Sequence, residues 1–392
     1  MRRVSVFGST GSVGQNTLDL IRREPKDYEI IALTGGRNVA QLARDAREFD
    51  AKLAVTAYDD QLEPLQEALS GTEIAVGAGE NAILEAADRP ADWIMSAIVG
   101  AAGLAPGLRV LKHGTTLALA NKESLVAAGP LLLNTARKYG ATILPVDSEH
   151  SAVFQSLVGE EINAVETVTI TASGGPFRDW PANRMARATL QEALNHPNWA
   201  MGQRITIDSA SMFNKALELI ETKEFFGLNA DQIKVLVHPE SRVHALVEFV
   251  DGAMMAHLGA PDMRHAIGYA LHWPKRRNLP VERLDLAGIG QLRFEAPDEA
   301  RFPALRLARN VMKTGGLAGA VFNAAKERAL DGFIAGQIGF MDMANVVEDV
   351  LTQMSLPVGH KDAPFTLDNV AKADHLARIR TSEIIEKTRI KA

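Results

Sequence analysis

Short apolar runs rich in Val, Ile and Leu recur along the first 147 residues of the chain. They span 4–7, 28–33, 53–56, 74–77, 93–98, 116–120 and 142–147. Segments with the apolar spacing of helices lie between them, such as 18–23 and 39–44. Strands that alternate with helices predict a parallel sheet, and runs that are apolar throughout predict strands covered on both faces. The pattern therefore predicts a doubly wound α/β domain over residues 1–147.

The alternation stops after residue 147, and a different pattern follows. Apolar spacing predicts a helix over 149–157 and a strand over 167–171, which leads into a glycine-rich turn at 173–176. The segment 243–258 predicts two strands joined by an Asp-Gly turn, a common hairpin connection. We therefore expect an α+β domain over 148–275.

A β-branched run at 205–207 predicts another strand of this domain. The run continues into Asp208 and Ser209, and helical spacing follows over 211–221. This order places a carboxylate and a hydroxyl at the end of a strand, before the start of a helix.

The last part of the chain contains two further segments. Residues 276–303 are rich in Pro, Arg and Gly and are interpreted as a linker. From residue 304 to the C-terminus the helical spacing dominates, which predicts a C-terminal α-helical domain over 304–392.

Composition limits the chemistry that this fold can carry. The 392 residues are typical of two or three domains at roughly 150 residues each. The chain has no cysteine, which excludes disulfides, thiolate metal sites, iron–sulfur clusters and a cysteine nucleophile. Any metal must therefore be bound by carboxylate, imidazole or carbonyl groups.

Charge and hydropathy indicate which partners to expect. The net charge of −6 gives no electrostatic reason for a nucleic-acid partner. The longest apolar stretch, about 93–108, contains glycine-rich turns and Pro106 and does not predict a membrane span. The N-terminus enters a strand directly after Arg3, without a secretory pattern, so we expect a cytoplasmic protein with no membrane partner.

A glycine-rich loop follows the first predicted strand. Gly8, Gly11 and Gly14 have the spacing G-x-x-G-x-x-G between a strand and a helix, where backbone N–H groups can approach a pyrophosphate. The alternative is a tight turn without a ligand. The second strand ends in Gly35-Gly36-Arg37-Asn38 with no acid for a ribose 2′-hydroxyl, and Arg37 suits a 2′-phosphate, which favours NADP over NAD. Arg37 could instead be a solvated surface residue.

Two polar clusters follow later strands of the same domain. Asn121-Lys122-Glu123 comes after the sixth strand, at the sheet edge where ligands bind, or it is only the polar start of a helix. Asp147 and Glu149 come after the seventh strand and could bind a hard divalent cation through oxygen. The alternative is a helix cap followed by an acid in the first helical turn.

The second half of the chain contains two more candidates. Ser211, Asn214, Lys215 and Glu218 share one face of a predicted helix, which could bind metal and phosphate or could be a solvated face. The segment 195–202 combines His, Trp, Met and Gly in an aperiodic stretch, which indicates a lid over a substrate or a buried core loop.

Together these residues resemble the 1-deoxy-D-xylulose 5-phosphate reductoisomerase family along essentially the whole chain. The most specific segments are GSTGSVG at 8–14, AIVGAAGL at 97–104, LANKESLV at 119–126, LPVDSEHSAVFQSL at 144–157, SGGPFR at 173–178, HPNWAMG at 196–202, DSASMFNKALELIE at 208–221 and GAPDMR at 259–264. Arg37 departs from a frequent Lys in the family but keeps the charge. A second departure, at 323–327, affects only local helix packing.

The resemblance implies an NADPH site and a metal site. The pyrophosphate would lie at Thr10, Gly11, Ser12 and Val13, the ribose 2′-phosphate at Gly36, Arg37 and Asn38, and the nicotinamide side at Asn121, Glu123 and Gly202. One Mg²⁺ or Mn²⁺ would be bound by Asp147, Glu149 and Glu218. The resemblance also implies a Rossmann-type first domain and a homodimer.

The substrate residues are implied in the same way. Ser173, Ser209, Asn214 and Lys215 would bind the substrate phosphate and nearby hydroxyls, with Glu218 beside them, and Lys122, Ser148 and Glu149 would contact the carbon backbone. His196, Trp199 and Met201 would belong to a closing loop. The catalytic candidates are Glu149, Lys122, His196 and Trp199.

The implied reaction converts 1-deoxy-D-xylulose 5-phosphate into 2-C-methyl-D-erythritol 4-phosphate, an intermediate of the non-mevalonate isoprenoid pathway. In the family it proceeds by retro-aldol cleavage, aldol rejoining and reduction by NADPH. Two alternatives remain at this point. One is a simple NADP-dependent dehydrogenase of a small phosphorylated carbonyl compound, and the other is a non-catalytic NADP-binding regulator.

Overall fold

The computed structural model describes residues 1–199, 201–355 and 364–391. The chain forms two compact units. Unit 1 comprises 1–124, 132–151 and 262–282, and unit 2 comprises 125–131, 152–261 and the residues from 283 onward. The division into domains at residues 147, 275 and 303 stays a prediction.

Unit 1 contains a seven-stranded sheet in which every neighbouring pair of strands is parallel. The strands are β1 Arg2–Phe7, β2 Tyr28–Gly35, β3 Leu53–Thr56, β4 Ala75–Ala78, β5 Trp93–Ser96, β6 Thr116–Leu119 and β7 Ile143–Pro145. Their order is β4-β3-β2-β1-β5-β6-β7. This topology confirms the doubly wound α/β fold.

Helices connect consecutive strands of the sheet. They are α1 Ser12–Arg23, α2 Val39–Glu48, α3 Leu62–Ala68, α4 Gly79–Asp88, α5 Leu104–Leu111 and α6 Lys122–Tyr139, with 3₁₀ turns at Asp59–Gln61 and Ala101–Gly103. A further helix, α7 Ser148–Ser156, follows the last strand. The backbone of α6 is non-helical at Ala128, two residues before Pro130, which cannot donate a helical hydrogen bond.

The strand order decides where ligands can bind. The central strand β1 is buried on both faces, with Val4 and Val6 fully inaccessible. Chain connections lead from β1 to β2 on one side and return to β5 on the other, so the order reverses between β1 and β5. Ligands of such sheets bind beyond the carboxyl ends of the strands at this reversal. The loops that begin at Gly8, Gly36, Asn121 and Asp147 all lie at that edge.

Unit 2 contains a four-stranded mixed sheet in the order β11-β10-β8-β9. The strands are β8 Val165–Ala172, β9 Ile233–Val237, β10 Val243–Phe249 and β11 Met254–Leu258. The hairpin prediction is confirmed, because β10 and β11 pair antiparallel around Gly252, whose φ is +84°. Strand β9 was not predicted, and it pairs parallel with β8 after a long helical crossover.

The remaining helices follow in chain order. They are α8 Ala182–Met185, α9 Leu190–Ala193, α10 Gln203–Ala210, α11 Phe213–Phe226, α12 Arg264–His272, α13 Leu286–Ile289, α14 Ala304–Thr314, α15 Ala318–Ile334, α16 Asp342–Ser355 and α17 Leu367–Lys391, with 3₁₀ turns at Ile162–Ala164 and Ala230–Gln232. Of these, α12 belongs to unit 1. None of the helices in the described ranges is long and apolar enough to cross a membrane.

The prediction of a strand at 205–207 is wrong, because these residues lie inside α10. Ile207 and Ala210, three residues apart, both lie on the buried face of this helix. The Thr206 hydroxyl donates to the Gly202 carbonyl at 2.8 Å, so the helix satisfies it. Tertiary burial therefore overrides the β preference of three residues. Asp208 and Ser209 accordingly lie in the last turn of a helix and not at the end of a strand.

Candidate functional site

The glycine-rich loop after β1 has two positions that only glycine fits. Gly8 has a φ of +84°, and a Cβ there would lie 2.4 Å from the Ala97 carbonyl oxygen. A Cβ on Gly14 would lie 2.4 Å from the Gly8 carbonyl oxygen. Helix α1 begins directly after Gly11, with no side-chain cap and no acid in its first turn. Its N–H groups at residues 12–14 can therefore receive an anion, which favours a phosphate site over a plain tight turn.

A polar network around the buried Asp45 supports this loop and was not predicted. Gln15 donates from Nε2 to the Ser9 carbonyl at 2.9 Å and to Asp45 Oδ2 at 2.7 Å. Gln41 donates to Asp45 Oδ1 at 2.8 Å. Burial raises the pKa of the Asp45 carboxyl, and the two amides supply the hydrogen bonds that the buried carboxylate needs. The network connects the glycine loop to α2 and holds the loop in place.

The end of β2 places Arg37 at the surface and uses Asn38 as a helix cap. Asn38 accepts from the Gln41 backbone N–H at 3.2 Å and so begins α2. Arg37 donates to Asp60 Oδ2 at 2.7 Å, and its guanidinium lies over the Tyr58 ring, 4.1 Å from the centroid. Arg37 is therefore exposed but not merely solvated.

Asn121 ties the ends of β5 and β6 together. Its side-chain amide donates to the Ile98 carbonyl at 2.6 Å and to the Gly100 carbonyl at 2.9 Å, and its oxygen accepts from the Ser124 N–H. The same amide nitrogen also lies 2.9 Å from Glu123 Oε2. Asn121 thus caps α6 and also links this helix start to the loop after β5.

The turn after β7 gathers charged groups from two loops of unit 1. Lys122 Nζ forms a close ion pair with Asp147, and both side chains are mostly buried. Asp147 Oδ1 accepts from the Glu149 N–H at 3.2 Å and lies 3.3 Å from Nδ1 of the buried His150. The Ser148 hydroxyl donates to Glu149 Oε2 at 2.6 Å. Two carboxylates and one ammonium therefore lie together at the predicted ligand-binding edge.

In unit 2, helix α11 carries a polar face that is buried. Asn214 Nδ2 donates to Glu218 Oε1 at 2.6 Å, and Lys215 Nζ forms a close ion pair with the other oxygen of Glu218. Only 5% of the Lys215 side chain and 1% of the Glu218 side chain are exposed. The alternative of a solvated face is therefore wrong for these residues. Ser211 does not share the face, because it caps the end of α10 and donates to the Ile207 carbonyl at 2.9 Å.

His196 joins two serines that come from different elements. Its Nε2 lies 3.1 Å from the Ser173 hydroxyl, after β8, and 3.1 Å from the Ser209 hydroxyl, in α10. Its Nδ1 accepts from the backbone N–H groups of Asn198 and Trp199 at 3.1 and 3.0 Å. Because Nδ1 is an acceptor, the ring proton must be on Nε2, facing the two hydroxyls. Burial lowers the pKa of His196 to about 4, which keeps the ring neutral at physiological pH.

The segment around His196 is held by Asn198, for which no local pattern predicts a role. Asn198 Nδ2 donates to the Pro239 carbonyl at 2.7 Å and to the Ser241 hydroxyl at 2.8 Å. Pro197 and Asn198 are exposed, so the segment is not the buried core loop of the alternative interpretation. Within the motif at 196–202, Ala200 lies outside the described residues.

Taken separately, the two units offer complementary chemistry. Unit 1 presents a phosphate-binding helix start, an exposed guanidinium and a pair of carboxylates. Unit 2 presents two hydroxyls around a neutral imidazole and a buried Asn-Lys-Glu set. Asn214 Oδ1 is buried and has no hydrogen-bond partner in the described part of the chain, as expected of a group that awaits a ligand.

Comparison with known proteins identifies the family. Models of 1-deoxy-D-xylulose 5-phosphate reductoisomerase and of its two C-terminal domains match residues 4–129, 143–226 and 258–380. The 1-deoxy-D-xylulose 5-phosphate reductoisomerase of Ruegeria pomeroyi is 67% identical over 99% of this chain and 98% of its own length. The chain belongs to the 1-deoxy-D-xylulose 5-phosphate reductoisomerase family.

Solved structures agree with this assignment over the whole chain. The reductoisomerase of Zymomonas mobilis in complex with NADPH is 45% identical, covers 98% of this chain and 99% of its own, and gives a TM-score of 0.91. A reductoisomerase complex with NADPH, fosmidomycin and magnesium is 39% identical, covers 98% of both chains and gives a TM-score of 0.93.

The family resemblance and the fold class are thus confirmed, whereas the roles of individual site residues stay predictions. The reductoisomerase fold also contains polar contacts that no local pattern signals. Lys326 in α15 donates to Asp208 in α10 at 2.9 Å across 118 residues, with both side chains buried. Nothing in the sequence near either residue marks such a pair.

Proposed function

We propose that this chain catalyses the NADPH- and divalent-metal-dependent conversion of 1-deoxy-D-xylulose 5-phosphate to 2-C-methyl-D-erythritol 4-phosphate, in the non-mevalonate route to isoprenoids. Membership of the reductoisomerase family supports the reaction, and the solved relatives that hold NADPH and magnesium support both cofactors.

The observation that carries the proposal is the charged turn after β7. Asp147 and Glu149 lie beside Lys122, in the same unit as the phosphate-binding start of α1. Reduction of a carbonyl by a nicotinamide needs no pair of neighbouring carboxylates. A reaction that also breaks and forms a carbon–carbon bond does need a way to hold negative charge on the substrate oxygens.

We assign the NADPH site to the carboxyl edge of the sheet in unit 1. Thr10, Gly11, Ser12 and Val13 bind the pyrophosphate, because they surround the uncapped start of α1. Gly36, Arg37 and Asn38 bind the adenosine ribose with its 2′-phosphate, for which the guanidinium supplies paired donors. Asn121, Glu123 and Gly202 are assigned to the nicotinamide side on the family resemblance.

The metal ligands in this proposal are Asp147, Glu149 and Glu218. Each offers a carboxylate oxygen, the ligand that Mg²⁺ and Mn²⁺ prefer, and Glu218 is buried whereas the other two are partly exposed. When bound, the cation supplies a Lewis acid for the ketone and neighbouring hydroxyl oxygens of the substrate. Lys122 and Ser148 act through their contacts with Asp147 and Glu149, and they also touch the substrate backbone.

The phosphate end of the substrate is assigned to polar groups of unit 2. They are Ser173, His196, Ser209, Asn214 and Lys215. The neutral His196 can donate from Nε2 to a hydroxyl or a phosphate oxygen but does not deliver a proton as a cation, because its pKa is near 4. Trp199 follows His196 on the same exposed segment and excludes water from the reactive aldehyde when the segment closes. Glu149, Lys122, His196 and Trp199 are the proposed catalytic residues.

Location and assembly complete the proposal. We place the enzyme in the cytoplasm, where the chain would act on a small sugar phosphate without a nucleic-acid or membrane partner. We also propose a homodimer, which sedimentation of the purified protein tests directly.

The test is NADPH oxidation, followed at 340 nm, by the purified full-length chain with 1-deoxy-D-xylulose 5-phosphate. We expect turnover with Mg²⁺ or Mn²⁺ and none after chelation, with recovery when the metal is restored. Product identification by mass spectrometry must show the branched methylerythritol phosphate.

Each rival predicts a different result in this assay. A simple dehydrogenase would oxidise NADPH without the metal and leave an unbranched carbon skeleton. A non-catalytic regulator would bind NADPH and never oxidise it. Either result contradicts the proposal.

A further inference from the structure

The loops after β2 and β3 lie side by side at the edge where we place the adenosine ribose. The Ala57 N–H donates to the Gly35 carbonyl at 2.8 Å, and the Thr56 hydroxyl donates to the Gly36 carbonyl at 3.1 Å. These bonds extend the pairing of the two strands into their loops. As a result, Tyr58 and Asp60 are held next to Arg37.

Arg37 makes two contacts with this second loop. Its guanidinium lies over the Tyr58 ring at 4.1 Å, and its Nη1 donates to Asp60 Oδ2 at 2.7 Å. The side chains of Arg37 and Asp60 are each 59% exposed, so water and other anions have access to both. The hydrogen bond from Arg37 lowers the pKa of the Asp60 carboxyl, which is therefore an anion at neutral pH.

We propose that the Asp60 carboxylate forms an ion pair with Arg37 at the position where the 2′-phosphate of NADPH would bind. This internal carboxylate, together with Tyr58, then sets how strongly the chain distinguishes NADPH from NADH. The inference rests on the proposed function, in which Arg37 binds the 2′-phosphate.

The physical argument is a competition between two anions for one guanidinium. Carboxylates and phosphates bind the same planar donors of arginine, so the 2′-phosphate must displace Asp60 or share Arg37 with it. A phosphate of charge near −2 is also repelled by a carboxylate a few ångströms away. NADH has a 2′-hydroxyl at this position, so it does not have to displace Asp60 from Arg37 and is not repelled by the Asp60 carboxylate. Asp60 therefore weakens NADPH binding selectively.

Tyr58 has the opposite effect in this scheme. Its ring fixes the plane of the guanidinium through a cation–π contact. An arginine that is already oriented loses less freedom when the phosphate binds. Tyr58 therefore strengthens NADPH binding, although it carries no charge.

The experiment measures the Kd values of NADPH and NADH by fluorescence titration of the full-length protein without substrate, so that no turnover is needed. For Asp60→Asn we expect NADPH to bind about three- to tenfold more tightly, with NADH changed less than about twofold. The gain should shrink as salt is raised, because salt screens exposed charges. For Tyr58→Leu we expect NADPH to bind about two- to fivefold more weakly, with NADH unchanged.

Asp59→Asn is the matched control, since it removes the same charge one residue earlier. Asp59 has no ion pair with Arg37 in the described part of the chain, and its carboxylate packs against Gly79 instead. We expect this variant to change the NADPH affinity less than about twofold. If NADPH affinity rises equally in both Asp variants, only the total negative charge of this loop affects NADPH binding. That result would overturn the inference.

Arg37→Asp shows which statement is wrong if the experiment fails: the role of Asp60, or the assignment of Arg37 to the 2′-phosphate on which that role rests. If this variant leaves the ratio of NADPH to NADH affinity unchanged, Arg37 does not bind the 2′-phosphate and the proposed assignment fails. If the ratio collapses but Asp60→Asn has no effect on it, the assignment stands and the role of Asp60 is wrong.

Discussion

The molecule uses ion pairs in two contrasting settings. The pair of Arg37 and Asp60 is exposed to water at the edge of the parallel sheet, whereas the pair of Lys215 and Glu218 is almost fully buried on α11. Water stabilises the partners of the exposed pair when they separate, so that pair exchanges readily with a ligand. A buried charge loses its hydration and becomes costly when its partner is removed. The difference suggests that the exposed pair adjusts cofactor preference while the buried set holds a fixed geometry.

The largest effect should follow a change in the buried set. Glu218→Gln keeps the size of the side chain and its hydrogen-bonding oxygen but removes the charge. We expect kcat to fall by at least about 100-fold, because a lost metal ligand forfeits several kcal/mol of charge stabilisation. Steady-state kinetics at saturating Mg²⁺ measures the loss, and NADPH titration serves as the control, with an expected change below about twofold. Normal turnover of this variant would remove Glu218 from the metal site.

A charge reversal in the exposed setting should act on binding and not on chemistry. We expect Arg37→Asp to raise the Kd of NADPH by about 30-fold or more and that of NADH by less than about threefold, since only NADPH carries the 2′-phosphate. Cofactor titrations measure both values. The thermal midpoint of unfolding should stay unchanged, because the pair is exposed. An equal loss of both cofactors would contradict the 2′-phosphate role.

A second buried pair, Lys326 with Asp208, tests how much a buried ion pair contributes to the free energy of unfolding. Neither residue is among the proposed metal ligands. Lys326→Met preserves most of the side-chain volume but removes the ammonium that pairs with the buried Asp208 carboxylate. We expect a loss of about 3 kcal/mol in the free energy of unfolding, because the variant leaves the buried Asp208 without its ion-pair partner. Chemical denaturation measures the loss, and the double variant Lys326→Met with Asp208→Asn should recover part of it.

The matched control for that variant is an exposed pair between two C-terminal helices. Arg306 and Glu348 form two hydrogen bonds of 2.7 and 2.9 Å, and their side chains are 45% and 39% exposed. Arg306→Met should cost no more than about 1 kcal/mol. Equal losses for the two variants would show that burial does not separate these pairs.

Features that depend on local pattern are predictable from this sequence, whereas features that depend on tertiary packing are not. The strands of the parallel sheet are predictable because each is a continuous apolar run between helical segments. The loop at 8–14 is predictable because Gly8 and Gly14 leave no room for a Cβ. Local pattern failed at 205–207, where three β-branched or apolar residues fit a strand as well as a buried helix. It also missed the pairs of Lys326 with Asp208 and Arg37 with Asp60, because the spacing between partners is set by packing and not by any period.

His196 represents a third setting, in which a partly buried titratable group stays neutral. Its pKa is lowered to about 4 by burial, against about 6.5 in the unfolded chain. Between these values the unfolded chain binds more protons than the folded protein, so stability must fall as pH falls through this window. We expect the thermal midpoint to decrease from pH 6.5 toward pH 4 and His196→Gln to flatten part of that decrease. Because the ring is partly exposed, this effect should be the smallest of those predicted. A variant whose midpoint follows the same pH slope as the wild type would show that the pKa of His196 does not differ between the folded and unfolded protein, which would contradict the shift caused by burial.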